Sequence, residues 1–412
     1  MNTPPPPLPA SDACTPAGQR PLDGLLVADF SRVLAGPLCT MTLADLGARV
    51  IKVERPGTGD DTRSWGPPFS ATGATYFESV NRNKESVCLD FTDPQERALA
   101  QELARRADVL VENFLPGTLD RLGLGYPELS GQHPGLIYAS ITGFGAAGGR
   151  HLPGYDFIIQ ALGGLMSITG DAEGAPFKSG VALVDVLTAK DATIAILAAL
   201  AARQHTGRGS HVQVNLMSSL QGALANQGQA YLGAGIVPGR MGNEHPSIAP
   251  YQLVQCADGP LAIACGNDRQ FARLSTELGI PALAQDPRFA TNTARVEHRD
   301  ILIPLLERAL AAAPVEEWQE RLITAEVPAG RVAGIDESLD LAEHLGLEPT
   351  IDVHDATGRT VGRQVRHPAT WDPPLATANA APPRLGEHTD TVLAWLRETT
   401  DAPSPSSMVR AG

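Results

Sequence analysis

An α/β fold with an open parallel sheet is predicted by three observations. Short apolar runs that read as strands alternate with segments of helical apolar spacing. Helix punctuation lies between them, with Asp93-Pro94 at one start and Gly47 at one end. After residue 232 the composition turns Gly-rich and then hairpin-bearing, which marks a smaller α+β domain.

The elements follow in order. Leu25–Phe30 (LLVADF) reads as a buried strand, and the loop Ser31–Pro37 follows it. Leu38–Leu46 has helical spacing and stops at Gly47. Arg49–Glu54 (RVIKVE) is a second strand, completing a βαβ unit and hence a parallel pair. Val87–Phe91 reads as a strand, Asp93-Pro94 opens a helix to about Arg106, and Asp108–Glu112 and Leu136–Thr142 are further strands. Ligands of such sheets bind beyond the carboxyl ends of the strands. The loops there are Ser31–Pro37, Arg55–Arg63, Phe91-Thr92, Asn113–Gly117 and Gly143–Gly149. The last contains Gly143-Phe144-Gly145-Ala146-Ala147-Gly148, a GxGxxG match. A dinucleotide fingerprint needs a helix to begin inside the motif, whereas Gly149–Gly154 continues as loop, so no nicotinamide cofactor is expected.

Ser179–Gly209 is the centre of the chain. Asp185 stands between Val184 and Val186, at the entrance to the apolar helix Ala192–Ala202, which the Thr206–Gly209 turn ends. A charge in an apolar run is costly unless it is paired or used. Taken alone, the stretch favours a helix cap, although Asp191 competes for that role. His211–Leu216 then alternates like a half-buried strand, and Met217–Leu232 reads as a helix. Tyr251–Cys256 and Pro260–Cys265 flank Ala257-Asp258-Gly259 as a hairpin. Asp268–Leu278 and Asp300–Ala312 are helical, Val361–Arg366 is a strand, and Pro382–Leu396 is a loop and final helix.

Composition excludes several classes. The 412 residues carry a formal charge of −14, from 32 basic and 46 acidic side chains, which argues against nucleic acid and anionic membrane as partners. A local basic pocket for an anionic ligand is compatible with that balance. Five scattered cysteines without a CxxC pair give neither a zinc site nor a disulfide framework, and fit a reducing compartment. The Pro-rich start lacks a basic segment followed by an apolar one, so no secretion signal is expected. No apolar run reaches the length of a membrane span. A cytoplasmic protein follows as the default expectation.

Four stretches together resemble the family III CoA transferases of the CaiB–BaiF type: PLDGLLVADFSRVLAGP, GARVIKVERPGTGDDTR, DVLVENFLPGTLDRLGL and GVALVDVLTAKDATIAILAALAARQHTGRG. GNDRQF and LGEHTD support the likeness, which spans about Pro21 to Leu396. The resemblance implies an acyl-CoA:carboxylate CoA transferase with Asp185 as nucleophile, and anhydride and aspartyl-CoA thioester intermediates. It implies CoA contacts at Val33, Leu34, Ala35, Arg55, Leu89, Asp90, Phe91, Thr92, Asn113, Phe114, Arg121, Tyr155 and Asp156, with Arg55 and Arg121 as phosphate partners and Arg32 a weaker third. Coenzyme A or its thioester is then a substrate, with no permanently bound cofactor and no metal. An acyl-CoA donor, a carboxylic acid acceptor and a second copy of the chain in an interlocked homodimer are the implied partners.

The resemblance also implies a Rossmann-like large domain built from both chain ends. Its boundaries are a Pro-rich arm at 1–20, the first part of the CoA-binding domain at 21–232, a linker at 233–241, the small domain at 242–340, a return segment at 341–398 and a tail at 399–412. Two departures narrow the expectation. Leu34 stands where some formyl-CoA transferases carry Gln, and no run of glycines is present, which points away from formyl and oxalyl substrates. The segments GNDRQF and GNEHPSIAPY resemble the branch that handles short dicarboxylic acids such as succinate, glutarate, itaconate or mesaconate, with His245, Arg269 and Arg240 available to a distal carboxylate or simply part of the hairpin and loops. The family's racemase branch uses His where this chain has Tyr155; a two-base proton exchange needs a group titrating nearer neutrality than Tyr. A 2-methylacyl-CoA racemase with Asp185 as base, and a non-catalytic acyl-CoA-binding protein, remain the alternatives.

Overall fold

The computed structural model describes residues 20–398. Cys14, the expected arm up to residue 19 and the tail 399–412 lie outside the described residues. Six strands form one parallel sheet: β1 (Leu26–Asp29), β2 (Arg49–Glu54), β3 (Lys84–Cys88), β4 (Val109–Glu112), β5 (Ile137–Thr142) and β6 (His211–Asn215). Their order is β3-β2-β1-β4-β5-β6. The winding reverses between β1 and β4, so their carboxyl ends open a crevice there.

β4 is buried throughout and β2 in all but its first residue, because helices cover both faces of the sheet. On one face Ala100, Leu103 and Ala104 of the helix Pro94–Arg106 share a core with Ala28, Ile51, Leu110, Val392 and Leu396. Val392 and Leu396 belong to the final helix Thr389–Glu398, so the end of the chain returns to the sheet of its beginning. The other helices that matter here are Ala35–Asp45 and the long central helix Leu183–Thr206, which pack together.

Internal contacts divide the described chain into two compact units. One holds residues 20–163, 180–223 and 348–398, and the other holds 164–179 and 224–347. The span 242–340 lies inside the second unit. That unit carries an antiparallel sheet of β7 (Tyr251–Gln255), β8 (Pro260–Ala264) and β9 (Ala329–Arg331). Its core gathers Leu261, Phe271, Leu302, Leu306, Trp318 and Leu322. The first unit also has the hairpin of β10 (Thr350–His354) and β11 (Thr360–Val365).

Three elements depart from the expectation. The strand expected at Val87–Phe91 lies at Lys84–Cys88, because Lys84 and Ser86 occupy buried positions that are satisfied by ionic partners. The central helix begins at Leu183, so Asp185 sits in its first turn and Ala182 is the N-cap. The helix expected over Met217–Leu232 is two helices, Leu216–Ala223 and Ala225–Ala234, broken where Ala225 takes φ +43°. Among the described residues no cluster of His, Cys, Asp or Glu could hold a metal ion, and no helix is long and apolar enough to cross a membrane.

A buried ionic network lies beneath the crevice. The Lys84 ammonium pairs with Asp29 at 3.0 Å and donates to the carbonyl of Pro37 and the amide oxygen of Asn81. The Lys52 ammonium pairs with Asp60 at 2.9 Å and donates to the Ser31 carbonyl. Arg63 meets Glu54 through two hydrogen bonds of 2.7 Å. Burial alone would raise the Asp29 carboxyl, but Lys84 and Lys52 hold it down at about 2. Burial draws Lys84 down to about 8 against the pull of Asp29.

Removing one partner from such a network leaves an uncompensated buried charge. Lys84→Met is therefore expected to cost about 3–5 kcal/mol in denaturant unfolding. A cost below about 1 kcal/mol, the range of an exposed ion pair, would contradict this description of the network.

Candidate active site

The loop after β1 is set by that network. Val33 adopts φ +70°, a left-handed conformation that is an outlier for a β-branched residue. Its amide is held by the Asp60 carboxylate at 3.2 and 3.3 Å, and Asp60 is held in turn by Lys52 and by the amide and hydroxyl of Thr62. Gly36 is required just beyond, since a Cβ there would lie 2.2 Å from the Cβ of Ser31. Across the crevice Asn113 closes a pair of hydrogen bonds with the Arg32 backbone: its Oδ1 accepts the Arg32 amide and its Nδ2 donates to the Arg32 carbonyl. Asn113 thus ties the β1 loop to the β4 loop where the winding reverses.

Two cavities open at this edge of the first unit. One, of about 270 Å³, is bordered by Val33, Leu34, Ala35, Asn113, Tyr155 and Asp185. The other, of about 460 Å³, is bordered by Arg55, Leu89, Asp90, Phe91 and Thr92. Arg32 and Phe114 line both, with the guanidinium 5.4 Å from the ring centroid. Eleven of the expected positions plus Asp185 and Arg32 therefore border one of two neighbouring cavities. Arg121 does not: it is exposed on the short turn Asp120–Leu122 and lines neither cavity. Asp156 lines neither cavity but acts on Asp185 from behind.

Asp185 is not a helix cap. The N-cap residue Ala182 offers no side-chain acceptor, and the Asp156 carboxylate supplies it from another helix. One Asp156 oxygen accepts the amides of Val184 (2.8 Å) and Asp185 (3.2 Å), while Gln160 donates to the other. The Asp185 carboxylate is left free of the helix end and faces the smaller cavity. Burial, and then the negative charge of Asp156, raise its pKa to about 7. A group in that state is half ionised near neutrality and serves as a nucleophile or as a proton-transfer base.

The GxGxxG segment is explained by packing. Gly143 and Gly154 meet back to back, and a Cβ on Gly143 would lie 2.3 Å from the Gly154 Cα. No helix begins within the motif, in line with the absence of a dinucleotide fingerprint. The contact closes the loop that delivers Tyr155, which is 63% exposed and hence no core aromatic. In the second unit, Arg240 donates to the carbonyls of Asp171 and Gly174, and Asn267 caps the helix Asp268–Glu277. His245 accepts the Ser247 amide and packs on Tyr251.

Tyr76 was not singled out by the sequence. Burial and then the charges of Asp185, Asp156 and Asp60 push its phenol up to about 12, so it keeps its proton in the field of these three carboxylates. Trp65 meets its ring edge-on at 5.2 Å. An aromatic pair inside the Pro- and Gly-rich segment 65–76 was the only available signal.

Residues 22–389 match the sequence pattern of CoA-transferase family III. The chain is 42% identical over 404 residues to the succinate–glutarate CoA-transferase of Agrobacterium fabrum, covering 95% of this chain and 99% of that one. It is 43% identical to the acetyl-CoA:oxalate CoA-transferase of Acetobacter aceti, over 80% of this chain and 85% of that one. A CaiB/BaiF family protein from Brucella suis superposes with a TM-score of 0.82 at 43% identity, covering 92% of this chain and all of that one.

The raised pKa of Asp185 has a stability consequence. The folded state holds a proton that the unfolded chain, with the ordinary value of 3.8, releases sooner. The stability linked to that proton is complete below 3.8 and is lost as pH rises through about 7. Asp185→Asn removes the loss. Thermal unfolding near pH 8 should show the variant about 1–3 kcal/mol more stable than wild type, with the gain gone near pH 4. A variant equally destabilised at both pH values would contradict it.

Proposed function

The chain belongs to CoA-transferase family III, and we propose that Asp185 is the nucleophile through which it moves CoA between two carboxylic acids. The observation that carries this is the Asp185 carboxylate, relieved of capping by Asp156 and facing the cavity bordered by Tyr155 and Asn113. The raised pKa makes the ionised form a stronger nucleophile, while leaving a usable fraction of it at neutral pH.

The ionised Asp185 attacks the thioester carbonyl of the donor. The carbon–sulfur bond breaks, leaving a mixed anhydride on Asp185 and free CoA thiolate. The thiolate then attacks the Asp185 carbonyl, forming an aspartyl-CoA thioester and releasing the donor acid as its carboxylate. The acceptor carboxylate attacks that thioester, and the same two exchanges in reverse yield the new acyl-CoA and free Asp185. Each exchange trades one activated acyl bond for another, so no ATP is consumed. An anhydride hydrolyses readily, and the apolar flank of Val184 and Val186 suits its protection from water.

CoA lies along both cavities in this account. Its phosphates are met by Arg55, with Arg32 beside them, and the Leu89–Thr92 loop borders the nucleotide end. Its thiol passes Asn113 and Phe114 toward Asp185, with Val33, Leu34 and Ala35 along the β1 loop. Arg121, exposed and outside both cavities, is a phosphate partner only at the rim. A homodimer, with a second copy completing the site, belongs to the same proposal, as do residues 341–398 as a return segment of the large domain and a cytoplasmic setting. Short dicarboxylic acids are the proposed substrates, supported by the likeness to the succinate–glutarate enzyme.

Incubation with succinyl-CoA and glutarate, followed by chromatography of the acyl-CoAs, tests this reading. Glutaryl-CoA should accumulate, and Asp185→Ala should lower the rate by at least about 1,000-fold. In the wild type, the rate at saturating substrates should rise with pH through about 7 as Asp185 ionises. Transfer that persists in Asp185→Ala would overturn the assignment. Deuterium entering the α-carbon of a 2-methylacyl-CoA without an acceptor would favour the racemase alternative.

A further inference from the structure

A second buried carboxyl lies one residue before the loop proposed to hold CoA, and the transfer chemistry does not use it. Glu112 ends β4 and is only 7% exposed. One of its oxygens accepts the Phe114 amide at 2.9 Å, which fixes the turn that presents Asn113 and Phe114. Ser140 of β5 lines the same cavity as this carboxyl. The Ser140 hydroxyl reaches the Nε2 of His211 at 2.9 Å, and His211 lies exposed on the edge strand β6. The imidazole stacks on Tyr126 at 4.7 Å and meets Tyr138 edge-on. These groups line a separate cavity of about 340 Å³, together with Asp120 and Asn215.

We propose that Glu112 is a positioning residue for CoA binding: it sets the Asn113–Phe114 loop through the Phe114 amide, and the cavity it shares with Ser140 and His211 couples its charge to the solvent. This rests on the reading of Asn113 and Phe114 as CoA contacts. The groups facing Glu112 are Asp120 from the turn after β4, Tyr126 from the helix Tyr126–Gln132, Tyr138 and Ser140 from β5, and His211 from β6. None is a fixed cation. Partial desolvation of the ring lowers the pKa of His211 against the pull of Asp120, which favours the neutral imidazole. Burial, with Asp120 adding to it, raises Glu112 to about 7 despite the opposing effects of Ser140 and the Phe114 amide.

The protonated acid suits this surrounding: it accepts the Phe114 amide and leaves no charge in the buried site. Ionised, it is an unpaired buried charge, relieved when the loop moves and admits water. CoA should then bind more weakly above neutrality. Gln reproduces the protonated acid at every pH, with one oxygen to accept and one amide to donate.

Calorimetric titration with CoA, from about pH 6 to pH 8.5, tests the proposal. The Kd of the wild type should rise by about fivefold more across the range than that of Glu112→Gln. The phosphates of CoA titrate alike in both and cancel in the comparison. Glu112→Ala, which leaves the Phe114 amide without its acceptor, should bind about tenfold more weakly at every pH, with Glu112→Gln restoring tight binding. Ser140→Ala should shift the pH at which the wild-type affinity falls and provides the readout if Glu112→Ala does not fold. Asn113→Ala separates the two levels of the argument. If it weakens CoA binding while wild type and Glu112→Gln share one pH profile, this inference is wrong and the loop assignment stands. If Asn113→Ala binds CoA like wild type, the loop assignment fails and takes the inference with it.

Discussion

The hydrogen bond from the Val33 amide to the Asp60 carboxylate is the constraint on which the crevice depends. A β-branched residue at φ +70° persists only where its surroundings impose it, at a cost of about 1–3 kcal/mol. Asp60 can impose it because Lys52 is buried against the same carboxylate, and Lys52 also holds the carbonyl of Ser31 at the base of the loop. Lys84 and Asp29 anchor the other side, through Ser31, Thr40 and the Pro37 carbonyl. The charges are carried on three adjacent strands and on the loop after β2, so the sheet and the crevice are fixed by the same contacts. Replacing these charges with apolar groups would fill the space but leave the Val33 amide without an acceptor.

The same economy operates at the central helix. Its first amides need an acceptor, and its own N-cap is an alanine. Asp156 satisfies them from outside and in doing so places a second negative charge beside Asp185. One interaction therefore supplies the cap, frees the Asp185 carboxylate and adds to the burial that raises its pKa. Tyr76, kept protonated by burial and then by these charges, is a neutral phenol in their field.

Much of this was legible in the sequence, for identifiable reasons. β1, β2, β4 and β5 carry apolar runs bounded by turns, and apolar periodicity finds them. Asp93 caps its helix through the amides of Gln95 and Glu96, as its position before Pro94 implies. β3 was misplaced because Lys84 looks exposed in sequence and is buried only by virtue of Asp29, which lies on another strand. The capping role of Asp156 was hidden because its acceptor and donors lie 28 residues apart. Arg121 shows the converse: a motif singles out its segment, yet the fold leaves it on an exposed turn.

Transfer by the proposed route requires a covalent bond to Asp185, and the most direct measurement is peptide mass mapping after brief exposure to an acyl-CoA in the presence of hydroxylamine. The acyl-activated carboxylate predicted here would be captured as a hydroxamate on the peptide that contains Asp185, and Asp185→Asn would show none. A protein that transfers CoA while this peptide stays unmodified would contradict the account, as would a hydroxamate on Asp156 in its place.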